Sequence, residues 1–358
     1  MGFQRTIQEF LYLVDNMTKL ISIFGTRPEI IKMAPLIPLL DKEFEHKFIF
    51  TSQHYSENMM DVFFRELGVR KPDNFLNVKD SNLDKLQTAI HKELRRHGAE
   101  WVITYGDTNS TLAAARAAKS LGKKVIHIEA GLRAYDSRLP EEKNRIEIDN
   151  ISSTLLAPSL LAKKQLEEEG ITENIYVVGN LVVDSVRKFY VPKPRKETYV
   201  LVTAHRQENV DDLPRLSKIL KALSQFPKVI FPVHPRTKKR LEEFSLHFPK
   251  NVELTDPVGY KEFLSLLGGA QLVLTDSGGV QEEAVVLKVP CLTLRESTER
   301  WETIEAGGNF LVGLEPLLIG AYAKQILDGT LGKSMGEAKN PYGENVSEKI
   351  IEILKKKI

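Results

Sequence analysis

The stretch LISIFGTRPEIIKMAPL, Leu20–Leu36, decides the fold. A β-rich apolar run, Leu20–Phe24, passes through Gly25 into a segment with helical spacing, so the sequence predicts strand, turn and helix in that order. Gly25 permits a tight turn, Pro28 suits a first helical turn, and the helix amino end can face an anion. Arg27 and Lys32 add fixed positive charge there. Alone, the segment reads equally well as a helix start with surface cations.

The same alternation continues outward. Lys47–Thr51, Trp101–Tyr105, Lys124–Ile128 and Ile175–Val178 read as further strands. Glu29–Asp41, Asn58–Leu67, Leu83–Arg96, Thr108–Leu121 and Leu160–Gly170 read as the helices between them. A second series then begins, with strands Tyr199–Ala204, Val229–Val233, Val252–Thr255, Leu272–Thr275 and Pro290–Leu294 and helices Leu213–Phe226, Thr237–Phe244 and Val280–Leu287. The Pro-, Lys- and Arg-rich stretch VPKPRKET, Val191–Thr198, separates the halves as a linker. The expectation is two doubly wound α/β domains with parallel sheets and a cleft between them, 17–190 and 191–341. Ligands of such sheets sit outside the carboxyl ends of strands.

Composition narrows the function. The 358 residues carry 50 Lys+Arg and 48 Asp+Glu, a net charge of +2 that gives no reason to expect nucleic acid or an anionic membrane as partner. Cys291 is the one cysteine, so an intrachain disulfide and a cysteine-based zinc site are excluded, and a cytoplasmic location fits. No apolar run reaches the roughly 18–20 residues of a membrane helix. Residues 1–16 show helical spacing but make a poor signal peptide, and are expected to be an accessory extension. None of the 22 glycines lies two residues from another, which removes the dinucleotide fingerprint. Gly332–Ser334 imitates a P-loop, but its required earlier glycine is Leu327.

Chemistry-bearing residues cluster after strands. TDSGGVQEEA, Thr275–Ala284, repeats strand, glycine turn and helix, with Gly278 and Gly279 opening the backbone to an oxyanion and Ser277 as a hydroxyl donor. Glu282 or Glu283 could accept from sugar hydroxyls. Asp107 follows Trp101–Tyr105, Glu129 follows Lys124–Ile128, and PEEKNR starts a helix with Glu141 and Arg145 one turn apart. Three carboxylates near adjacent strand ends suit removal and return of a proton at a sugar carbon. Asp107 read only as a helix cap, and Glu141–Arg145 read only as a surface pair, are the structural alternatives. His127 alternates with Ile126 and Ile128 and reads as core, whereas His205, beside Arg206, is better placed at a site.

At this point the motifs resemble one family, the non-hydrolysing UDP-N-acetylglucosamine 2-epimerases. GTRPEIIKMAPL, GDTNSTLAAA, HIEAGLR, PEEKNR, TAHRQEN, HPRTKKRL, TDSGGVQEEA and RESTERWETIEAGGNFLVG match in order from residue 25 to about 313. The resemblance implies a GT-B fold, a final helix (about 342–358) crossing back to the first domain, a homodimer, and interconversion of UDP-N-acetylglucosamine and UDP-N-acetylmannosamine. It also implies elimination of UDP to a 2-acetamidoglucal and re-addition on the opposite face, with the product used for cell-surface polysaccharide. By matching positions, Arg27 and Lys32 are diphosphate-side cations, and Ser277, Gly278 and Gly279 the second phosphate cradle. Glu283 is the ribose carboxylate, Arg300 the later arginine and Phe263 a uracil-side residue. Asp107, Glu129 and Glu141 form the acid–base set, supported by Arg145 and His205. No metal or other cofactor is expected.

Val258 stands where some members carry a uracil-side glutamine, and Ser56 where many bacterial members carry a glutamine of a regulatory substrate site. Allosteric activation therefore does not carry over with the resemblance. Competing readings are the hydrolysing epimerase, which releases UDP and free N-acetylmannosamine, a GT-B glycosyltransferase, and a non-catalytic UDP-sugar-binding regulator.

Overall fold

A computed structural model describes residues 17–51, 63–78, 81–194 and 197–358. The predicted extension 1–16 and Ser56 lie outside them. The chain divides into two compact units: the described residues up to Ser185 together with Tyr342–Ile358, and Val186–Pro341.

The first unit holds β1 (Lys19–Phe24), β2 (Glu45–Phe50), β3 (Asn74–Phe75), β4 (Trp101–Tyr105), β5 (Lys124–Ile128), β6 (Thr154–Ala157) and β7 (Ile175–Val177). They form one parallel sheet in the order β3-β2-β1-β4-β5-β6-β7. The second unit holds β8 (Val200–Thr203), β9 (Val229–Pro232), β10 (Val252–Thr255), β11 (Leu272–Thr275), β12 (Cys291–Thr293) and β13 (Asn309–Leu311), ordered β10-β9-β8-β11-β12-β13 and again all parallel. Both units are thus Rossmann-like, as the alternating pattern predicts. Central strands such as β4 are buried along their whole length, which is why they read as apolar runs rather than as alternating ones. In each unit the chain reverses its direction of growth between two adjacent strands, β1 and β4 or β8 and β11. Loops part at these points and leave room for a ligand.

Several elements differ from expectation. The helix predicted over Glu29–Asp41 is two helices, Arg27–Met33 and Ile37–Glu43. Pro35 supplies no N–H to continue the first, and proline disfavours helical geometry in the residue before it. The strands β3, β6 and β13 were not expected; at two to four residues they are too short to show a period. Of the helix expected at Asn58–Leu67, only residues 63–67 are described, and these are helical. Among the described residues no helix is long and apolar enough to cross a membrane.

The C-terminal segment is fastened to the first unit by polar bonds. Asn180 N–H donates to the Tyr342 carbonyl at 3.1 Å. The Asp184 carboxylate accepts from the amides of Val346 (3.3 Å) and Ser347 (2.7 Å) and from the Ser347 hydroxyl (2.6 Å). Asp184 thereby satisfies amino-terminal N–H groups of the helix Val346–Lys357.

At the other end of the sheet His46 is enclosed. Its Nε2 lies 2.7 Å from Ser22 Oγ and its Nδ1 2.6 Å from Asp41 Oδ1. The order of partners is that of a hydrolase triad, but Ser22 is 0% exposed within β1, so no substrate reaches it. Burial pushes the His46 pKa below its ordinary 6.5, against the opposing pull of Asp41. The unfolded chain therefore binds a proton that the native chain refuses. Stability from this site is complete above about pH 6.5 and is lost as pH falls through the native pKa, at no more than about 1.4 kcal/mol per pH unit. Urea unfolding between pH 8 and 5 is expected to show this loss, and His46→Gln should flatten it. An unchanged pH slope in the variant would remove His46 as the cause.

Candidate active site

The first unit builds its site at the ends of β1, β4 and β5. Glu129, directly after β5, is 7% exposed and has φ +71°, a conformation that a non-glycine residue adopts only when its surroundings impose it. Three groups converge on its Oε1: Lys32 Nζ at 2.5 Å, the Tyr105 hydroxyl at 2.7 Å and Asn180 Nδ2 at 3.0 Å. Lys32 thus faces a carboxylate in this structure, and it is itself buried. Such a cation favours the ionised form of its partner.

Asp107 follows β4 by two residues. It does not cap the next helix: Thr108 does, its hydroxyl accepting from Thr111 N–H at 3.2 Å. The Asp107 carboxylate is instead paired with Arg145, Nη2 to Oδ2 at 2.5 Å. Arg145 also binds Glu142, not Glu141. Among the described residues the Glu141 carboxylate has no hydrogen bond or ion pair, and the residue is half-buried in the first turn of the helix Pro140–Ile151. The surface pair Glu141–Arg145 is therefore not formed.

Beneath these loops lies the buried pair His127–Asp149. His127 Nε2 donates to the Gly106 carbonyl at 2.9 Å, and Nδ1 lies 2.7 Å from Asp149 Oδ1. Both residues are fully enclosed, which agrees with a core reading of His127.

The β1 turn is organised by Glu29. Its Oε2 accepts from the amides of Gly25 (2.7 Å) and Thr26 (2.8 Å), and its Oε1 from the Thr108 hydroxyl (2.7 Å). Burial raises the Glu29 pKa, and these hydrogen bonds pull against that rise. Gly25 is needed here for close approach rather than for a special φ: a Cβ would lie 2.1 Å from Ser110 Oγ. The Arg27 guanidinium stands over the Phe63 ring at 5.3 Å.

The second unit builds its site at β8 and β11. Asp276, 0% exposed, accepts from the amides of His205 (3.0 Å) and Arg206 (3.0 Å) and from Asn209 Nδ2 (3.1 Å), stitching the two loops together. The His205 ring remains 41% exposed, with the His234 ring 5.4 Å away. Burial, then the neighbouring His205, lowers the His234 pKa.

Ser277 caps the helix Gly278–Val286 by position, but its hydroxyl makes no cap bond. The first-turn N–H groups have no intrahelical acceptor, so the turn is suited to an anion. A Cβ on Gly278 would meet Glu299 Oε1 at 2.4 Å, so a side chain there would displace the end of Glu299. Arg300 is 6% exposed with Nε 2.9 Å from Glu282 Oε1, and acts in the packing behind this turn. Glu283 lies beside Tyr260, whose pKa is raised well above the ordinary value by burial and then by that negative charge. Phe263 and Val258 pack together on the core cluster of Leu201, Leu266 and Val273. The Cys291 thiol is buried and pushed up to about 12, so it is no nucleophile. Among the described residues no group of three His, Cys, Asp or Glu is placed to hold a metal.

Sequence reasoning missed Glu29, Tyr105, Asn180, Glu142 and Asp276. The Thr26-x-x-Glu29 spacing of a capping box was a usable signal for the first. The others depend on contacts between distant segments.

Comparison with known proteins leads to one family. The family model described as UDP-N-acetylglucosamine 2-epimerase matches residues 40–355. A protein of that name from Methanococcus maripaludis is 43% identical over 363 residues, 94% of this chain and 97% of its own length. A UDP-2,3-diacetamido-2,3-dideoxy-D-glucuronate 2-epimerase from Pseudomonas aeruginosa is 36% identical over 358 residues, 94% of this chain and 99% of its own. The crystal structure of Methanocaldococcus jannaschii UDP-GlcNAc 2-epimerase in complex with UDP-GlcNAc and UDP matches with a TM-score of 0.85 and 42% identity, over 95% of this chain and 100% of that one.

Proposed function

This chain belongs to the UDP-N-acetylglucosamine 2-epimerase family, and from that premise we propose that it interconverts UDP-N-acetylglucosamine and UDP-N-acetylmannosamine by eliminating and re-adding UDP. The hydrogen on carbon 2 is not next to a carbonyl and is hardly acidic. Departure of UDP must therefore give carbon 1 cationic character before or as that proton leaves, and donors on the leaving diphosphate lower the barrier. A 2-acetamidoglucal results. Protonation of its carbon 2 on the opposite face, with return of UDP to carbon 1, yields the epimer.

The observation that carries this reading is the pair of ion-paired carboxylates, Asp107 with Arg145 and Glu129 with Lys32, at the ends of the adjacent strands β4 and β5. Acid–base exchange needs two such groups held apart in fixed orientation. Glu141, with no partner among the described residues, is the third. In the second unit the helix start at Gly278–Gly279, with His205, supplies donors suited to a diphosphate, and in the first unit Arg27 stands as a cation after β1. The reading further includes a homodimer in the cytoplasm whose product serves cell-surface polysaccharide.

Incubation of the protein with UDP-N-acetylglucosamine in deuterated water, followed by NMR, tests this. The manno isomer is expected, with deuterium at carbon 2 of both epimers. Stoichiometric free UDP with N-acetylmannosamine would point to the hydrolysing reaction instead, and turnover only with an added acceptor to a transferase. A glycosyltransferase from Rickettsia africae with 15% identity and a TM-score of 0.56 shares the fold alone.

A further inference from the structure

We propose that Glu142 is a positioning residue for the epimerisation: acting through Arg145, it fixes the direction in which the Asp107 carboxylate points. The inference rests on Asp107 being an acid–base group, as read above.

The Asp107 side chain has a single side-chain partner among the described residues, Arg145. Its backbone carbonyl is held separately, by Asn144 Nδ2 at 2.9 Å, so the loop itself is anchored without help from the carboxylate. What orients the carboxylate is therefore the guanidinium. Arg145 is 3% exposed, and its two terminal nitrogens are divided between two acids, Nη2 on Asp107 and Nη1 on Glu142. The guanidinium is a rigid planar fork, so fixing one nitrogen fixes the other.

Glu142 is itself fixed from a third direction. It is 5% exposed, and its Oε1 accepts from the amides of Ala134 at 3.0 Å and Tyr135 at 2.8 Å. Tyr135 has φ +55° while the residue is 66% exposed, so no packing of the side chain explains the strained backbone. The two consecutive amide bonds to a buried carboxylate do explain it. The turn after Glu129 and the helix Pro140–Ile151 thus meet at one carboxylate, and Arg145 links it to the loop after β4. Glu141, its neighbour in sequence, has none of these contacts.

The test is a mutant cycle with full kinetics. Glu142→Gln can still accept the two amides through its oxygen but has no charge for Arg145. We expect kcat to fall about tenfold to a hundredfold, since misplacement of a catalytic group by about 1 Å has that effect, with KM and the dissociation constant for UDP within about threefold. Arg145→Lys breaks the fork and should show the same pattern. The double variant should be no slower than Arg145→Lys alone, because both changes act through one link. Glu169→Gln removes one of the two carboxylates on the buried Arg133, which keeps Asp149, and serves as the structural control, lowering melting temperature without lowering kcat.

Wild-type kcat in Glu142→Gln, or losses that simply multiply in the double variant, overturns the inference. Should Glu142→Gln not fold, Glu142→Asp, which keeps the charge but retracts it by one methylene, is expected to give the same kcat loss, and wild-type kcat there overturns it equally. Asp107→Asn measured alongside separates the two levels. If that variant turns over normally, the acid–base reading itself falls; if it is inactive while Glu142→Gln is normal, only the positioning role does.

Discussion

Asp107→Asn, Glu129→Gln and Glu141→Gln are each expected to lower kcat by about 10²–10⁴-fold, the range of a lost proton-transfer group. The structure sharpens what should accompany each loss. Thr108 rather than Asp107 caps the following helix, so Asn at 107 leaves that helix start intact. Glu141 has no partner among the described residues, and its replacement should change stability by less than about 0.5 kcal/mol. Glu129 is different. It pairs with the buried Lys32, and Gln there removes one charge of a buried ion pair, at about 3–5 kcal/mol. Rates should therefore be normalised to the folded fraction measured by circular dichroism. Near-normal turnover in all three variants would sink the acid–base assignment, whereas slow leakage of UDP and the glycal from one of them would place that residue in the proton-return step.

Gly131→Ala is expected to destabilise the protein by about 2–5 kcal/mol, combining overpacking of about 1–3 with about 1–2 for the left-handed backbone. Gly131 has φ +84°, and a Cβ there would stand 2.2 Å from the Ala162 carbonyl oxygen and 2.9 Å from Leu166 Cγ. The first of these is backbone of the helix Leu160–Glu168, which cannot rotate away as a side chain would. The same residue donates its amide to Asp149 at 3.1 Å, so any retreat also strains the His127–Asp149 pair beneath the Glu129 turn. Gly122→Ala is the control: φ is +69° there too, but nothing lies within 4 Å of the added carbon. Urea unfolding should show only the backbone cost at Gly122 and the larger sum at Gly131. Equal losses at both positions would mean that the helix yields.

Much of this was legible in the chain because parallel sheets buried on both faces are written as apolar runs, and because loops after those strands carry polar residues for which packing gives no reason. The order of strands and helices, the two Rossmann-like units and the positions of Asp107, Glu129, Gly278 and His205 all follow from that local pattern. Short strands escaped it: β6 is four residues, and it took pairing with β5 to define it.

What the sequence by itself determined, then, is which residues stand at strand ends and which chemistry they can offer. The tertiary structure alone decided how they are paired. It gave Lys32 to Glu129, Arg145 to Asp107 and Glu142 together, and Arg300 to Glu282, leaving Glu141 without a partner among the described residues. Glu141 and Glu142 are chemically identical and adjacent, and they differ in role because successive helix positions point about 100° apart. No local pattern encodes which of those directions is later met by a guanidinium, two amides or neither. That depends on where segments tens of residues distant come to rest.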